Sequence, residues 1–503
     1  MAKKEKRTLD VLNPATQETI GQVDLYDAEA LDTVLTRARA ASEQMARMSV
    51  REREAIVLKF LTLLNENADS VARLISQENG KPLIEAYIME VMSVAYLAHY
   101  FGRNAHKILA PEKIGITIMK HKHSEIRYVP RGVVLVISPW NFPMSIPAGE
   151  IIMAILAGNA VVHKPASLTP LIALEIRRLL LEAGLPEDAL QVVPCRGRDA
   201  ETMVGPRIDY LNFTGSVDIG VRLAQRCAKQ MIPSTLELGG KDPGLVFADA
   251  NLERAANSVM YGAFGNAGQV CASIERLYVE RSVYDQFVEM IVERAQALRV
   301  GDPMDQNTDM GPMTDMSQMQ VVMAQVEDAK EKGARVLTGG KRREGKGYFY
   351  EPTVLVDVTP DMAIIKDETF GPVLPIMPFD TETEAVALAN DTKFGLTAAI
   401  YTGDRSRANR LADRVVAGTV MINDSIYTHA LPETPWGGVK FSGMGVTHSA
   451  RGLRHLSRMV HVNKPLLAPN REFYWHPYSK TGLGLARKAV SALAALARWT
   501  PKL

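Results

Sequence analysis

Between residues 132 and 238 one pattern recurs: an unbroken apolar run, a helical stretch, then another apolar run. Val133-Val-Leu-Val-Ile-Ser138 is apolar up to its last residue. A helix-like segment then reaches Leu156, Ala160-Val-Val-His163 follows, and residues 191–193, 210–213 and 235–238 continue the series. Strands without polar alternation are buried on both faces, and helices between them imply right-handed crossovers, hence parallel strands. The region is expected to be a doubly wound nucleotide-binding domain that takes its ligand at the carboxyl ends of its strands. A second alternating set spans residues 243–427, with helices predicted over 252–265, 283–298, 317–332, 382–390 and 406–414 and strands over 276–279, 353–356 and 398–401. The fold class is α/β, with two doubly wound parallel-sheet domains.

A chain of 503 residues exceeds one ordinary core. Its 47% hydrophobic and 23% charged content is that of a globular protein, and a net charge of +1 offers no field for nucleic acid. Three cysteines argue for a reducing compartment, and the charged start Met1-Ala-Lys-Lys-Glu-Lys-Arg7 lacks a secretory apolar segment. The longest apolar run, residues 151–162, falls short of the roughly 20 needed to span a bilayer. A soluble, cytoplasmic protein is expected. Residues 28–79 carry apolar positions at helical spacing up to Gly80-Lys-Pro82, and a further helix is predicted over 86–110. Residues 114–129 alternate around a polar tip, Lys120-His-Lys-His-Ser124, which predicts a hairpin arm that pairs with another subunit. His121 and His123 have no evident acidic or cysteine partner, so no metal site is expected. A last strand is predicted over 458–463.

Several stretches pair a reactive or polar residue with glycine or proline. Phe264-Gly-Asn-Ala-Gly-Gln-Val-Cys-Ala-Ser273 sets Cys271 after small, flexible residues, where it is either a nucleophile or a small buried hydrophobe. Asn141, at the end of a buried strand, suits an oxyanion donor or an Asx turn. Glu237, before two glycines, suits a general base or a turn anchor. Lys164 can meet a ribose, a phosphate or solvent, and Phe213-Thr-Gly-Ser216 leads into a helix whose N–H groups can bind a pyrophosphate. No G-x-G-x-x-G fingerprint is present.

In this order, Pro139-Trp-Asn-Phe-Pro143, Lys164-Pro165, Phe213-Thr-Gly-Ser216, Glu237-Leu-Gly-Gly-Lys241, Gly268-Gln-Val-Cys271, Glu368-Thr-Phe-Gly-Pro372 and Pro435-Trp-Gly-Gly-Val-Lys440 resemble the motifs of the NAD(P)-dependent aldehyde dehydrogenase superfamily over about residues 10–464. The resemblance implies a cofactor domain (8–112 and 132–239), a catalytic domain (240–440), an oligomerisation arm (113–131 and 455–464) and a homodimer or homotetramer. It makes Cys271 the nucleophile, Asn141 an oxyanion donor and Glu237 the base that hydrolyses a thioester. It sets NADP or NAD against Ser138, Pro139, Trp140, Lys164, Phe213, Gly215, Ser216, Leu238, Gly239, Glu368 and Phe370. A redox-independent cysteine esterase or thioesterase would use the same Cys271, Asn141 and Glu237.

Departures from the family pattern bear on specificity. Ser167 stands where many NAD-preferring members carry a glutamate, and Arg196 and Arg198 are nearby candidates for a 2′-phosphate, so NADP is expected to be accepted at least as well as NAD. Ser145 and Gly149 share a helical face with Asn141 and either widen a substrate channel or allow close helix packing. No arginine pair marks a carboxylated substrate, so a medium- or long-chain or aromatic aldehyde is expected, with succinate semialdehyde as the alternative. Residues 465–503 extend beyond the family's usual end. They hold an aromatic-rich stretch, Arg471-Glu-Phe-Tyr-Trp-His-Pro-Tyr478, and a basic amphipathic helix over 482–499. That helix suits a membrane interface or, as the favoured reading, a cap over protein.

Overall fold

The computed structural model describes residues 7–497. Its first sheet runs, in spatial order, Ser234–Glu237, Tyr210–Thr214, Val133–Ile137, Ala160–Lys164 and Leu190–Val192, all parallel, with the short antiparallel strand Gly443–Met444 at the Ser234–Glu237 edge. Every residue of Val133–Ile137 and Ala160–Lys164 is buried, as the missing alternation required. The chain enters at the centre, winds to one edge and returns to the other side. Strand order therefore reverses between Val133–Ile137 and Tyr210–Thr214, and the segments that follow these two strands flank a ligand crevice.

The second sheet has seven strands: Arg335–Thr338, Thr353–Val356, Val373–Phe379, Ile274–Glu280, Asp242–Val246, Thr397–Tyr401 and Thr419–Ile422, parallel except for the first pair. Four of these strands escape the sequence pattern. Asp242–Val246 contains Pro243-Gly244, and Val373–Phe379 contains Pro375 and Pro378, residues that normally read as breaks. The register beside Ile274–Glu280 shifts at Asp242/Pro243, where a proline is tolerated. Arg335–Thr338 and Thr419–Ile422 span four residues each, too few for a clear period.

The helical stretch 28–79 is three helices, Ala28–Arg47, Val50–Glu66 and Ala68–Asn79. A capping box starts the second: Ser49 Oγ accepts Glu52 N (3.3 Å) while Glu52 Oε2 accepts Ser49 N (2.7 Å). The predicted helix 86–110 begins as a π-helical turn, Ala86–Met92, before Ser93–Ile108.

By internal contacts the described residues form two units: 7–109 with 129–458, and 110–128 with 459–497. The second unit holds a three-stranded sheet, Ser457–Pro465, Lys122–Pro130 and Glu112–Ile114, and the helix Lys480–Ala497. Its hairpin differs from expectation. Ile114 pairs with Ser124, so Ile116 and Ile118 lie in the turn while Lys122 and His123 lie in the returning strand. His121 and His123 do have acidic partners. His121 Nε2 lies 3.2 Å from Glu472 and His123 Nε2 3.1 Å from Glu125, carboxylates shared with Lys122 and Arg127. Arg498 and Trp499 of the predicted helix lie outside the described residues.

The π turn carries out one task for the first unit. It turns Glu90 inward onto Lys81, with 2.6 Å between Oε1 and Nζ and both side chains wholly buried. Lys81 Nζ also donates to the Asn141 carbonyl (2.9 Å) and lies 4.2 Å from the Phe142 ring centroid. Glu90 Oε2 accepts Met144 N (3.1 Å) and Ser145 N (2.7 Å), donors that the helix Ser145–Leu156 leaves unpaired at its start. One buried pair thus pins both ends of the 141–145 turn. Lys81→Met is expected to destabilise the protein by about 3–5 kcal/mol by stranding a buried carboxylate, and Lys81→Met/Glu90→Leu to recover most of the loss. Denaturant unfolding of the two variants checks this, and equal losses would contradict it.

Candidate active site

After the helix Leu252–Phe264 the chain makes a turn in which Asn266, Ala267 and Gly268 all have positive φ (50°, 53° and 71°). Such a run is costly and persists only where its surroundings enforce it. Gly268 is required, since a Cβ there would lie 2.2 Å from the Gly371 carbonyl oxygen. Buried amides hold the turn. Asn266 Nδ2 donates to the carbonyls of Asn141 (3.0 Å) and Gln269 (3.2 Å), Gln269 Nε2 donates to Asn266 O (2.9 Å), and Gln269 Oε1 accepts Thr314 N (2.9 Å). Asn141 Nδ2 donates to Gln269 O (2.9 Å), which ties the end of the first sheet to the loop bearing Cys271. At Gly240 a Cβ would sit 2.4 Å from the Cys271 carbonyl oxygen, so the segment after Glu237 can also approach. Cys195 and Cys227 are buried in the apolar core of the first sheet, whereas Cys271 is partly exposed.

Cys271 lines three cavities. The largest, about 310 Å³, is walled by Met89, Met92, Phe142, Ile146, Val270, Tyr427, Leu431 and Trp436, among others, and by no lysine, arginine or carboxylate. At its rim the Tyr96 hydroxyl donates to Glu433 (2.6 Å). The second, about 220 Å³, runs along the predicted crevice past Pro139, Trp140, Asn141, Gly215, Ser216, Glu237, Leu238, Gly239, Glu368 and Phe370. The third, about 20 Å³, has room for one water and is bordered by Glu237, Glu150, Thr214, His429, Thr447 and His448.

The charges around the thiol act against its ionisation. Burial pushes the Cys271 thiol up, and the carboxylates of Asp242, Glu237 and Glu368 add to this, against a hydrogen bond from Ala272 N. Burial holds the Glu237 carboxyl well above its usual range and the charge of Glu150 raises it further; neither Glu237 oxygen has a hydrogen-bond partner. Glu150 is pushed up to about 8 by burial, opposed by the Thr214 hydroxyl at 3.3 Å. His429, lowered to about 4 by burial, is neutral at pH 7, and its ring lies 4.7 Å from His448.

The crevice fits a dinucleotide. Ser216 opens the 13-residue helix Val217–Lys229 without a side-chain cap, leaving its first N–H groups to an anion. Glu368 Oε1 accepts Gly240 N (3.0 Å), and a Cβ on Gly239 would lie 2.4 Å from Glu368 Oε2, so glycine lets this carboxylate in. Phe370 has φ 51° and packs edge-on against Trp140 at 5.4 Å. Its loop is clamped by Glu275, which accepts Thr369 N (2.7 Å) and Phe370 N (2.8 Å) and pairs with the buried Lys241 (2.7 Å).

Five predicted cofactor residues do not line this crevice. Ser138 is buried with its Oγ 2.8 Å from His163 Nε2, and Phe213 belongs to the core, packed under Gly215. Lys164 ends the strand beside Val133–Ile137 and is mostly buried, while Ser167 and Arg198 are exposed. Ser145 and Gly149 do not widen the substrate cavity: both are buried, and Gly149 packs on Leu97, whereas Ile146 lines the wall. Sequence reading missed Lys81, Glu90, Glu150, Glu275, Asn266, Gln269, His429 and His448. Only Asn266 and Gln269, beside Cys271, carried a local signal.

The aldehyde dehydrogenase family model matches residues 1–462. A Mycolicibacterium smegmatis protein provisionally named succinate-semialdehyde dehydrogenase [NADP(+)] is 40% identical over 90% of this chain and 89% of its own. The crystal structure of an aldehyde dehydrogenase from Brucella melitensis biovar abortus aligns with TM-score 0.88 at 35% identity, covering 91% of this chain and 94% of that one. The NAD+ complex of a Bacillus cereus aldehyde dehydrogenase aligns with TM-score 0.88 at 34% identity over 91% and 93%. With a partly exposed thiol set between an apolar cavity and a crevice at the sheet's strand-order reversal, the chain belongs to the aldehyde dehydrogenase family.

Proposed function

We propose that the protein oxidises an uncharged medium- or long-chain, or aromatic, aldehyde to its carboxylic acid with NADP or NAD. The observation that carries this reading is the opening of one thiol onto three cavities of different character. The apolar cavity would deliver the aldehyde carbon to Cys271 Sγ, which, once its proton has passed to the Glu237 carboxylate and on to solvent, would attack as the thiolate and move the carbonyl electron pair onto oxygen. Asn141, its amide plane fixed through Gln269, would donate to that oxygen. Pro139, Trp140, Gly215, Ser216, Leu238, Gly239, Glu368 and Phe370 would hold the dinucleotide, with Lys164, Ser167 and Arg198 toward the adenosine end. When bound, its oxidised nicotinamide supplies a positive charge beside the thiol and accepts the hydride. Glu237 would then take a proton from the water in the small chamber, that water would attack the thioester carbon, and the Cys271 thiolate would leave with release of the acid. The arm strands support a homo-oligomer.

A second reading, oxidation of succinate semialdehyde, is the one the relatives' names favour: the Mycolicibacterium smegmatis protein and an Escherichia coli protein, 37% identical over 88% of this chain and 92% of its own, both carry it. Against it stand a cavity wall without a cation and Glu433 at the rim, which oppose an anionic substrate.

Cys271→Ala is expected to abolish aldehyde-dependent formation of reduced nicotinamide, and Asn141→Ala to lower turnover about 10²–10³-fold. Persistent turnover in Cys271→Ala would overturn the mechanism, and ester hydrolysis without cofactor reduction would favour the esterase. In a series of linear aldehydes kcat/KM should rise about threefold or more per methylene, since each buried CH₂ contributes about 0.8 kcal/mol. A flat series with preferred succinate semialdehyde would establish the second reading, and a strong preference for NAD over NADP would count against the role of Ser167. Because Glu237 must ionise to act as a base and its pKa is raised, hydrolysis-limited turnover should climb with pH. Glu150→Gln removes a like charge, so that limb should move to lower pH; a shift to higher pH would sink the arrangement.

A further inference from the structure

The helix Lys480–Ala497 is exposed along its length, with Gly482 its only buried residue among those described. Ser479 starts it by accepting Gly482 N on Oγ (3.0 Å) and Leu483 N on its carbonyl (3.1 Å). Leu483, Val490, Leu493 and Leu496 fall on one half of the helical circumference with Leu485 and several alanines, and these five large side chains are 41–67% exposed. Lys480, Arg487, Lys488 and Ser491 occupy the other half. A helix that buries almost nothing is marginal in water, because most helical stability in proteins comes from packing an apolar face. The face therefore calls for a partner.

Charge and aromatic content say which. After Glu472 the sequence contains five basic residues, Lys480, Arg487, Lys488, Arg498 and Lys502, and no acid. Two copies of so basic a helix repel each other. Preceding the helix, Tyr474, Trp475 and Tyr478 are 39%, 48% and 71% exposed, and such amphipathic rings settle at the boundary between water and lipid. This aromatic run is anchored. The Glu472 carboxylate, 5% exposed, accepts Lys122 Nζ (2.9 Å) and meets His121 Nε2 (3.2 Å), and Lys122 Nζ lies 5.9 Å from the Tyr474 ring centroid. No described helix is long and apolar enough to cross a membrane.

We propose that this helix and the aromatic run before it form a docking surface that lies flat in the interface of a bilayer carrying anionic headgroups. The proposal goes beyond the aldehyde chemistry and does not depend on it. The test is co-sedimentation of the full-length protein with phosphatidylcholine vesicles, with and without phosphatidylglycerol, at low and raised salt. Binding is expected to require phosphatidylglycerol and to weaken with salt. Arg487→Gln/Lys488→Gln should lower partitioning by about tenfold or more, and Leu485→Glu/Leu493→Glu should abolish it, while turnover of a short soluble aldehyde stays unchanged in both variants. Failure of the native protein to sediment with phosphatidylglycerol vesicles overturns the proposal, as does binding that survives Leu485→Glu/Leu493→Glu. A drop in oligomer mass by light scattering in that variant, with no vesicle binding by the native protein, would assign the face to a second copy instead.

Discussion

Lys81 and Glu90 meet in the interior of the first unit with no access to water, and the candidate site is built outward from that contact. Each charge is dispersed over further partners: the ammonium on the Asn141 carbonyl, the carboxylate on two N–H groups at a helix start. A pair satisfied in this way is costly to break but gains little over an apolar substitute, so its value lies in geometry more than in stability. It fixes the turn that carries Asn141, and Asn141 in turn shares its carbonyl and its amide with the loop bearing Cys271. The Lys241–Glu275 pair does the equivalent work for the loop of Glu368 and Phe370. Two buried ion pairs thus position the thiol's neighbours, one through Asn141 and the other through the loop of Glu368 and Phe370.

Three spaces around one sulfur divide the proposed chemistry. An apolar wall can sort aldehydes by size and charge, a crevice at a strand-order reversal suits an elongated anionic ligand, and a water-sized chamber meets that crevice at Glu237, the proposed proton acceptor. The acceptor is poorly solvated, and such a carboxylate is a stronger base than one in water.

The parallel architecture was legible because Val133–Ile137 and residues 160–162 are unbroken apolar runs and glycines or capping residues punctuate them. Strands with internal proline were not, since Asp242–Val246 and Val373–Phe379 are held by neighbours distant in sequence and not by their own propensity. Within the site, Cys271, Asn141, Glu237 and Glu368 stood out through adjacent glycine, proline or amide residues. The groups that hold or tune them did not. Glu150 sits inside an apolar helix, Glu90 inside a π turn, His429 in the short helical turn Tyr427–Ala430 and His448 just before the helix Ser449–His455. What each does is decided by groups that no local pattern marks: Thr214 for Glu150, Lys81 and the start of the helix at Ser145 for Glu90, and the chamber beside Glu237 for the two imidazoles. The finer substrate signal was also faint: Gly149 packs on Leu97, Ser145 N donates to Glu90, and the wall is made by residues such as Tyr427 that no short motif marks.

The narrowness of the space beside Glu237 has a consequence for what can release the acyl group. Through that chamber, walled in part by the Trp436 ring and the imidazoles of His429 and His448, only a molecule the size of water would reach an acyl carbon on Cys271, whereas the wider crevice also meets both Glu237 and Cys271. Selection among acceptors is then a matter of bore. On the proposed reading water would come by the chamber, and any larger acyl acceptor would have to come by the crevice, after the dinucleotide has left it.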